Sequence, residues 1–189
     1  MTQGRPRDAA IDDAARQACR ELLIESGWEG TSLSAVADRA GVSRPALYRR
    51  WPTKTQLVFD TLFGWAEDLL PKQLDQTPDE WLRGAVEISF ELFNDPAVRA
   101  GVPGLLAVLA SDEEMRTALW ERAGLPAVEI IEAYLPEGGD AERRRALAQA
   151  VLGVLAGAPL FLQVFGRETD ASTRVVLTTL LQQLGAQEA

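Results

Sequence analysis

A chain of 189 residues with 19 Lys and Arg against 28 Asp and Glu carries a formal charge of −9, which argues against general affinity for polyanions. It has one cysteine and no histidine, so a Cys/His zinc site, a Ser-His-Asp triad, a histidine base and an internal disulfide are excluded. No glycine-rich phosphate loop is seen, and neither catalysis, a metal nor a cofactor is expected.

In chain order, Gly4-Arg5-Pro6-Arg7 lacks periodicity and makes a short basic arm. Arg5 and Arg7 suit the minor groove of a duplex, with a frayed cationic terminus as the alternative. A first helix is expected from near Asp8 to Ser26, with Ile11, Ala14, Ala15, Ala18, Leu22 and Leu23 on its apolar face. Cys19 on that helix is expected to pack rather than react. Ser32 is placed to cap a short second helix, whose Leu33, Val36, Ala37 and Ala40 recur at helical spacing. Gly41 supplies the positive φ needed past the helix end. Ser43 stands at the next N-cap, Pro45 falls in the first turn and Leu47 turns to the core. Arg44, Pro45, Tyr48 and Arg49 then share the opposite face, with Arg50 at its flank.

Two short helices, a glycine turn and a basic exposed second helix form a helix-turn-helix. Arginine can grip O6 and N7 of guanine, while proline and alanine can touch a thymine methyl. Tyr48 and Lys54 suit phosphate. Thr53 caps the next helix, so its amides and the Lys54 ammonium can converge on one phosphate. Double-stranded DNA is therefore the expected partner. The charge agrees once divided: residues 1–60 hold 9 basic and 8 acidic side chains, residues 61–189 hold 10 and 20. An ordinary solvated basic face is the competing explanation, but it leaves the register of Ala37, Gly41, Ser43 and Leu47 unexplained.

TSLSAVADRAGVSRPALYRRWPTKTQLV, residues 31–58, resembles the DNA-binding domain of the tetracycline-repressor-like (TetR) family of bacterial regulators. The likeness extends back over residues 8–30 to Ser26-Gly27-Trp28-Glu29-Gly30; beyond about the first 60 residues it concerns only length and helical content. By that resemblance Arg44, Pro45, Ala46, Tyr48, Arg49 and Arg50 carry the recognition-helix contacts, and Ser32, Ser34 and Lys54 add contacts to the DNA backbone. Ala46 stands where the family often has threonine, which removes a hydroxyl there. Trp51-Pro52 replaces the more frequent Phe-Pro. The resemblance implies an all-α protein, with a three-helix helix-turn-helix domain at 1–53 and a helical effector-binding and dimerisation domain at 54–189.

The remaining helices are expected near 54–70, 78–94, 103–110, 112–134, 140–166 and 171–184. Breaks are expected at Pro71, Pro78, Asn94-Asp95-Pro96, Gly101-Val102-Pro103, Gly124-Leu125-Pro126 and Pro136-Glu137-Gly138-Gly139. Asp112-Glu113-Glu114 follow Ser111 and read as the acidic first turn of a helix rather than a cation site. Residues 146–165 carry no charge and follow Arg143-Arg144-Arg145, which meets the length criterion for a membrane span. Gln149, Gln163 and the alanines and glycines make them only mildly apolar, and no signal-peptide pattern precedes them. By resemblance, residues 140–184 instead form the homodimer interface, with Gly153, Ala156, Gly157 and Ala158 allowing close approach.

The resemblance, rather than the composition, implies a cavity for an apolar small-molecule effector, and Trp65, Phe90, Phe93, Leu106, Trp120 and Phe161 are its candidate walls. The resulting expectation is a cytoplasmic homodimeric repressor on a palindromic operator, released by that effector. A membrane-associated DNA-binding protein and a helical protein-interaction module are the alternatives.

Overall fold

The structure, a computed structural model, describes residues 9–64, 76–135, 140–166 and 171–186. Among the described residues the regular elements are all helical. They are α1 (Ala9–Gly30), α2 (Leu33–Ala40), α3 (Arg44–Arg50), α4 (Lys54–Phe63), α5 (Pro78–Asn94), α6 (Pro96–Ser111) and α7 (Glu113–Leu119). A π-helical turn (Trp120–Gly124) leads into α8 (Leu125–Tyr134), α9 (Ala141–Val164) and α10 (Ala171–Ala186).

These helices form two compact units. One spans Met1–Ala66 and Pro96–Ser111; the other spans Glu67–Asp95 and Asp112–Ala189. The expected boundary at residues 53 and 54 thus does not coincide with the division by contact, because α4 and α6 both pack against α1.

In the first unit, local chemistry sets the helix ends. Helix α1 runs past the expected end at Ser26, through a kink at Gly27 (φ 68°, ψ −171°), to Gly30. A conformation with positive φ is one that glycine reaches without a Cβ clash. Ser32 Oγ accepts from Ala35 N at 3.1 Å and caps α2; Gly41, at φ 65°, closes it. Ser43 occupies the N-cap position of α3, but its hydroxyl makes no capping bond. Thr53 and Gln56 cap α4 reciprocally, at 3.2 and 3.3 Å, a pattern that satisfies two of the amides a helix start leaves open. Ala15, Ala18, Cys19, Leu23, Val36, Ala37, Leu47, Leu57 and Val58 are almost fully buried. Burial pushes the Cys19 thiol up to about 11, so it stays protonated at neutral pH and inert as a nucleophile.

The expected break at Gly101-Val102-Pro103 is absent: α6 is continuous, with Pro103 inside it. An internal proline costs a helix about 3 kcal/mol, and the tertiary contacts of α6 outweigh it. Ala97, Val98, Gly101, Val102 and Leu105 are all buried. A Cβ on Gly101 would stand 3.0 Å from Leu62 and 3.3 Å from Leu23; one on Gly104 would stand 2.0 Å from Cγ of Trp28. Glycine at 104 is therefore a requirement for α6 to lie on the indole.

In the second unit α5 starts from a capping box of Thr77 and Glu80, with Pro78 in its first turn. Its core gathers Trp81, Val86 and Phe90 with Val128, Ile131, Tyr134, Val151, Leu155 and Leu181. The Trp81 and Tyr134 rings stack at 4.7 Å with planes 11° apart. At Gly124-Leu125-Pro126, expected as a break, the chain instead stays helical: Gly124 ends the π-helical turn and Leu125 begins α8, where Pro126 in the first turn has no amide to lose. Helix α9 is long and apolar enough to cross a membrane, and only 22% of its most apolar stretch is buried. Phe161, Val164 and Phe165 on or just after it, and Val175, Val176, Leu180 and Leu184 on α10, are exposed by 45 to 66%.

Gly104→Ala should destabilise the protein by about 1–3 kcal/mol through overpacking. Gly84→Ala, where a Cβ meets nothing within 4 Å, should stabilise it by about 0.5–1 kcal/mol through helix propensity. Thermal unfolding followed by circular dichroism checks both: the two melting temperatures move in opposite directions. A thiol reagent added near neutral pH should modify Cys19 only as fast as the protein opens, so labelling accelerates with denaturant.

Candidate DNA-contacting face

The recognition helix is held by what it buries. Leu47 is fully buried and Trp51, just past the helix, is 3% exposed. Trp51 Nε1 donates to Asp60 Oδ2 of α4 at 2.6 Å, a bond that the phenylalanine usual in TetR-like sequences could not make. With that edge fixed, Arg44, Pro45, Tyr48 and Arg49 are exposed on the other side of α3. The spacing of one turn brings these four side chains to one face. Ala46 is half-buried beside them.

The charges on this face are partly tied back. Arg44 meets the Asp38 carboxylate at 2.8 and 3.4 Å; both side chains are more than half exposed. An exposed pair of this kind is weak and salt-screened, so guanine or phosphate can compete for Arg44. Ser34 Oγ lies 3.4 Å from the Tyr48 hydroxyl, which links the start of α2 to α3. Ser32 is exposed, with its hydroxyl already engaged as the α2 cap.

Two residues expected on the face also make contacts within the unit. Arg50 turns inward: its guanidinium pairs with Asp12 of α1 and donates to the Ala46 carbonyl at 3.3 Å, and both charged side chains are only 9% exposed. This is a correction to the expectation that Arg50 flanks the reading surface. A buried guanidinium needs a charged partner, and Asp12 supplies it. Lys54 is half-buried; its Nζ donates to the Trp28 carbonyl at 3.0 Å and sits 4.3 Å from the indole centroid. It stands at the first turn of α4, yet its ammonium is anchored on α1. Arg5 and Arg7 lie outside the described residues.

Trp28, Asp12 and Asp38 were not singled out from sequence. Each acts across helices, at separations that no single-helix period connects.

The candidate effector walls differ in burial and in the unit they belong to. Leu106 belongs to the first unit and is 45% exposed, whereas Phe90 and Phe93 are buried in the second. Trp120 is 41% exposed and its ring lies over Gly124, where an added Cβ would stand 2.1 Å from Cε3 of the indole. Phe161 is 63% exposed and pairs with Phe165 at 4.7 Å. Trp65 lies outside the described residues. Phe90 lines an open cleft of about 360 Å³ with Ala158, Val176 and Leu180. The physical reason is that aromatics at helical spacing serve core, surface and cavity alike.

Removing Asp12 (Asp12→Ala) should cost about 3 kcal/mol or more, since it strands a buried guanidinium, whereas Arg49→Ala should leave stability nearly unchanged. Chemical denaturation of both variants distinguishes the internal arginine from the presented one.

The family described as bacterial regulatory proteins of the tetR family matches residues 16–61, the stretch from α1 to α4. An uncharacterised HTH-type transcriptional regulator, YdeS of Bacillus subtilis (strain 168), is 35% identical over 69 residues, 36% of this chain and 35% of its own length. The HTH-type transcriptional activator FasR of Mycolicibacterium smegmatis is 33% identical over 79 residues, 39% of this chain and 36% of its own. The matched region thus spans about a third of these relatives. The fold is shared over nearly the whole chain. A TetR transcriptional regulator from Rhodococcus sp. RHA1 superposes with a TM-score of 0.70 at 17% identity, covering 93% of this chain and 96% of its own. NalD, the secondary repressor of the MexAB-OprM multidrug efflux pump in Pseudomonas aeruginosa, gives 0.56 at 20% identity, covering 93% and 95%. The helix-turn-helix region, residues 16–61, is thus matched in sequence to the tetR family of bacterial regulatory proteins, and the helical fold of nearly the whole chain is shared with solved TetR regulators.

Proposed function

We propose that the protein is a homodimeric transcriptional repressor that binds a palindromic operator and is released by a small-molecule effector. The observation that carries this reading is the exposed Arg44, Pro45, Tyr48 and Arg49 face on a short helix pinned by Leu47 and Trp51. A rigid basic face of that width fits a major groove. Arg44 and Arg49 read base edges, Pro45 and Ala46 add apolar contact, and Tyr48, Ser34, Ser32 and Lys54 position the unit on phosphates. The basic arm with Arg5 and Arg7 adds a minor-groove contact.

A single helix-turn-helix covers too few base pairs to select one genomic site. The exposed apolar side chains of α9 and α10 supply the second copy's seat, since a patch of this kind on a soluble domain marks an interface. Cβ atoms on Gly153 and Gly157 would meet nothing within 4 Å, so both stand open to close approach by a partner helix. This occupant also explains why α9 is so apolar, in preference to a membrane span, and it fits a cytoplasmic protein. A dimer on a promoter represses by occupancy alone. NalD is described as a repressor and FasR as an activator, so the sign is a direct object of experiment.

Release requires that the effector favour the state that does not fit DNA. Helix α6 belongs to the reading unit, while the chain at both of its ends continues into the other unit. A ligand-driven change in the second unit therefore pulls on α6, and through Gly104 on Trp28 and the Lys54 it holds.

Arg44→Ala and Arg49→Ala should relax sequence selectivity, each costing about 1–3 kcal/mol of base discrimination. Lys54→Ala should weaken all duplexes alike and lower the salt slope by about one. Fluorescence anisotropy over a salt series, with operator and scrambled duplexes, checks both; unchanged selectivity in the arginine variants contradicts the reading. Val176→Glu with Leu180→Glu should give a folded monomer by sedimentation that no longer retains the palindrome, and the double variant remaining dimeric contradicts the interface. Fractionation of cells should leave the protein wholly soluble; recovery with membranes favours the membrane-associated alternative.

A further inference from the structure

Asp38 and Arg44 meet across the turn that joins α2 to α3. Asp38 stands in the last turn of α2, just after Val36 and Ala37, both fully buried. Its neighbour Arg39 pairs with Glu25 of α1 at 2.7 Å, whereas Asp38 faces the start of α3. A carboxylate there has the wrong sign for a helix C-terminus, and Arg44 supplies the opposing charge.

The pair uses one side of the guanidinium. Arg44 Nη2 donates to Asp38 Oδ2 at 2.8 Å, and Nε donates to Oδ1 at 3.4 Å. A guanidinium holds its five N–H groups in a fixed fork, so this leaves the outer edge, made by Nη1 and the second Nη2 proton, for another acceptor pair. Two parallel donors along one edge match O6 and N7 of guanine. Guanine can therefore take Arg44 without displacing Asp38.

Charge then separates base from backbone. An unpaired arginine beside a duplex is drawn to phosphate. Beside Asp38 its charge is largely cancelled, and the carboxylate itself repels phosphate. What remains is directional donor geometry, which a base edge rewards. Holding the guanidinium before DNA arrives also spares part of the ordering cost of binding. Both side chains are more than half exposed, so the effect is modest and falls on one base position.

We propose that Asp38 is a specificity-determining residue: it positions Arg44 on guanine and withholds it from phosphate. The proposal rests on reading α3 as the recognition helix.

The test selects the full-length protein and its Arg44→Ala, Asp38→Ala, Asp38→Asn and Glu25→Gln variants against a random duplex library. Fluorescence anisotropy over a salt series then compares the recovered consensus with single-base substitutions and a scrambled duplex. Arg44→Ala is expected to erase the preference for guanine at one position of each half-site. Asp38→Ala is expected to weaken that same preference about two- to fivefold, as loss of an exposed ion pair would, and to keep every other position. It should also bind the scrambled duplex more tightly, with a salt slope steeper by up to about one, as Arg44 moves to phosphate. Asp38→Asn keeps an oxygen that can accept from Nη2 and should recover part of the preference. Glu25→Gln, which removes another carboxylate of the same unit, should leave the guanine preference unchanged.

An intact guanine preference in Asp38→Ala overturns the proposal. So does an equal loss at every position, which marks a merely structural role, or the same loss in Glu25→Gln, which marks net charge alone. A wild-type motif that Asp38→Ala retains unchanged leaves the regulator standing and removes only the role of Asp38. Failure of the wild-type protein to enrich any sequence overturns the regulator reading and this proposal with it.

Discussion

Helix α6 lies on α1 because residue 104 has no side chain. The indole of Trp28 takes the space a Cβ would need, and its backbone carbonyl and ring face hold Lys54 at the start of α4. One aromatic side chain thus joins three helices of the reading unit, including one that sequence order places far from the helix-turn-helix. Without that contact α6 would lose its seat, and the first turn of α4 would lose the anchor of its lysine. The interaction also costs little to maintain. Glycine weakens a helix by only about 1 kcal/mol, and the apolar burial along α6 outweighs it.

The two arginines next to the recognition surface show how surroundings assign roles to like residues. Arg50 is enclosed with Asp12 and ties α3 to α1. Arg44 stays in water with Asp38, in an exposed pair of the weak, salt-screened kind. The structure therefore divides a basic run of sequence into an enclosed arginine that ties α3 to α1 and a presented one.

Much of this was legible from the residues. Ser32, Gly41, Thr53 and Leu47 do what local rules assign them, because capping and helical period are decided within a few residues. Errors arose where distant contacts override local preference. Pro103 sits inside a helix because buried contacts of α6 outweigh the lost hydrogen bond. Ser43 takes its N-cap position without a hydroxyl bond. Arg50 went inward because Asp12 lies 38 residues away in the chain, a separation no periodicity reveals. The effector walls are the least legible: Phe161, Trp120 and Leu106 are exposed while Phe90 and Phe93 are buried, and apolar character alone does not separate wall, core and surface.

On the proposed reading, the exposed basic face of α3 and the apolar pair α9 and α10, open to a second copy, make a dimeric switch. Its central claim is that two copies of the α3 face read one symmetric site. Selection of the purified protein against a random duplex library tests this most directly. The account predicts enrichment of a palindrome whose half-sites lie about one helical turn apart or more on the duplex. Recovery of a single asymmetric motif, or of no enriched sequence at all, would contradict it.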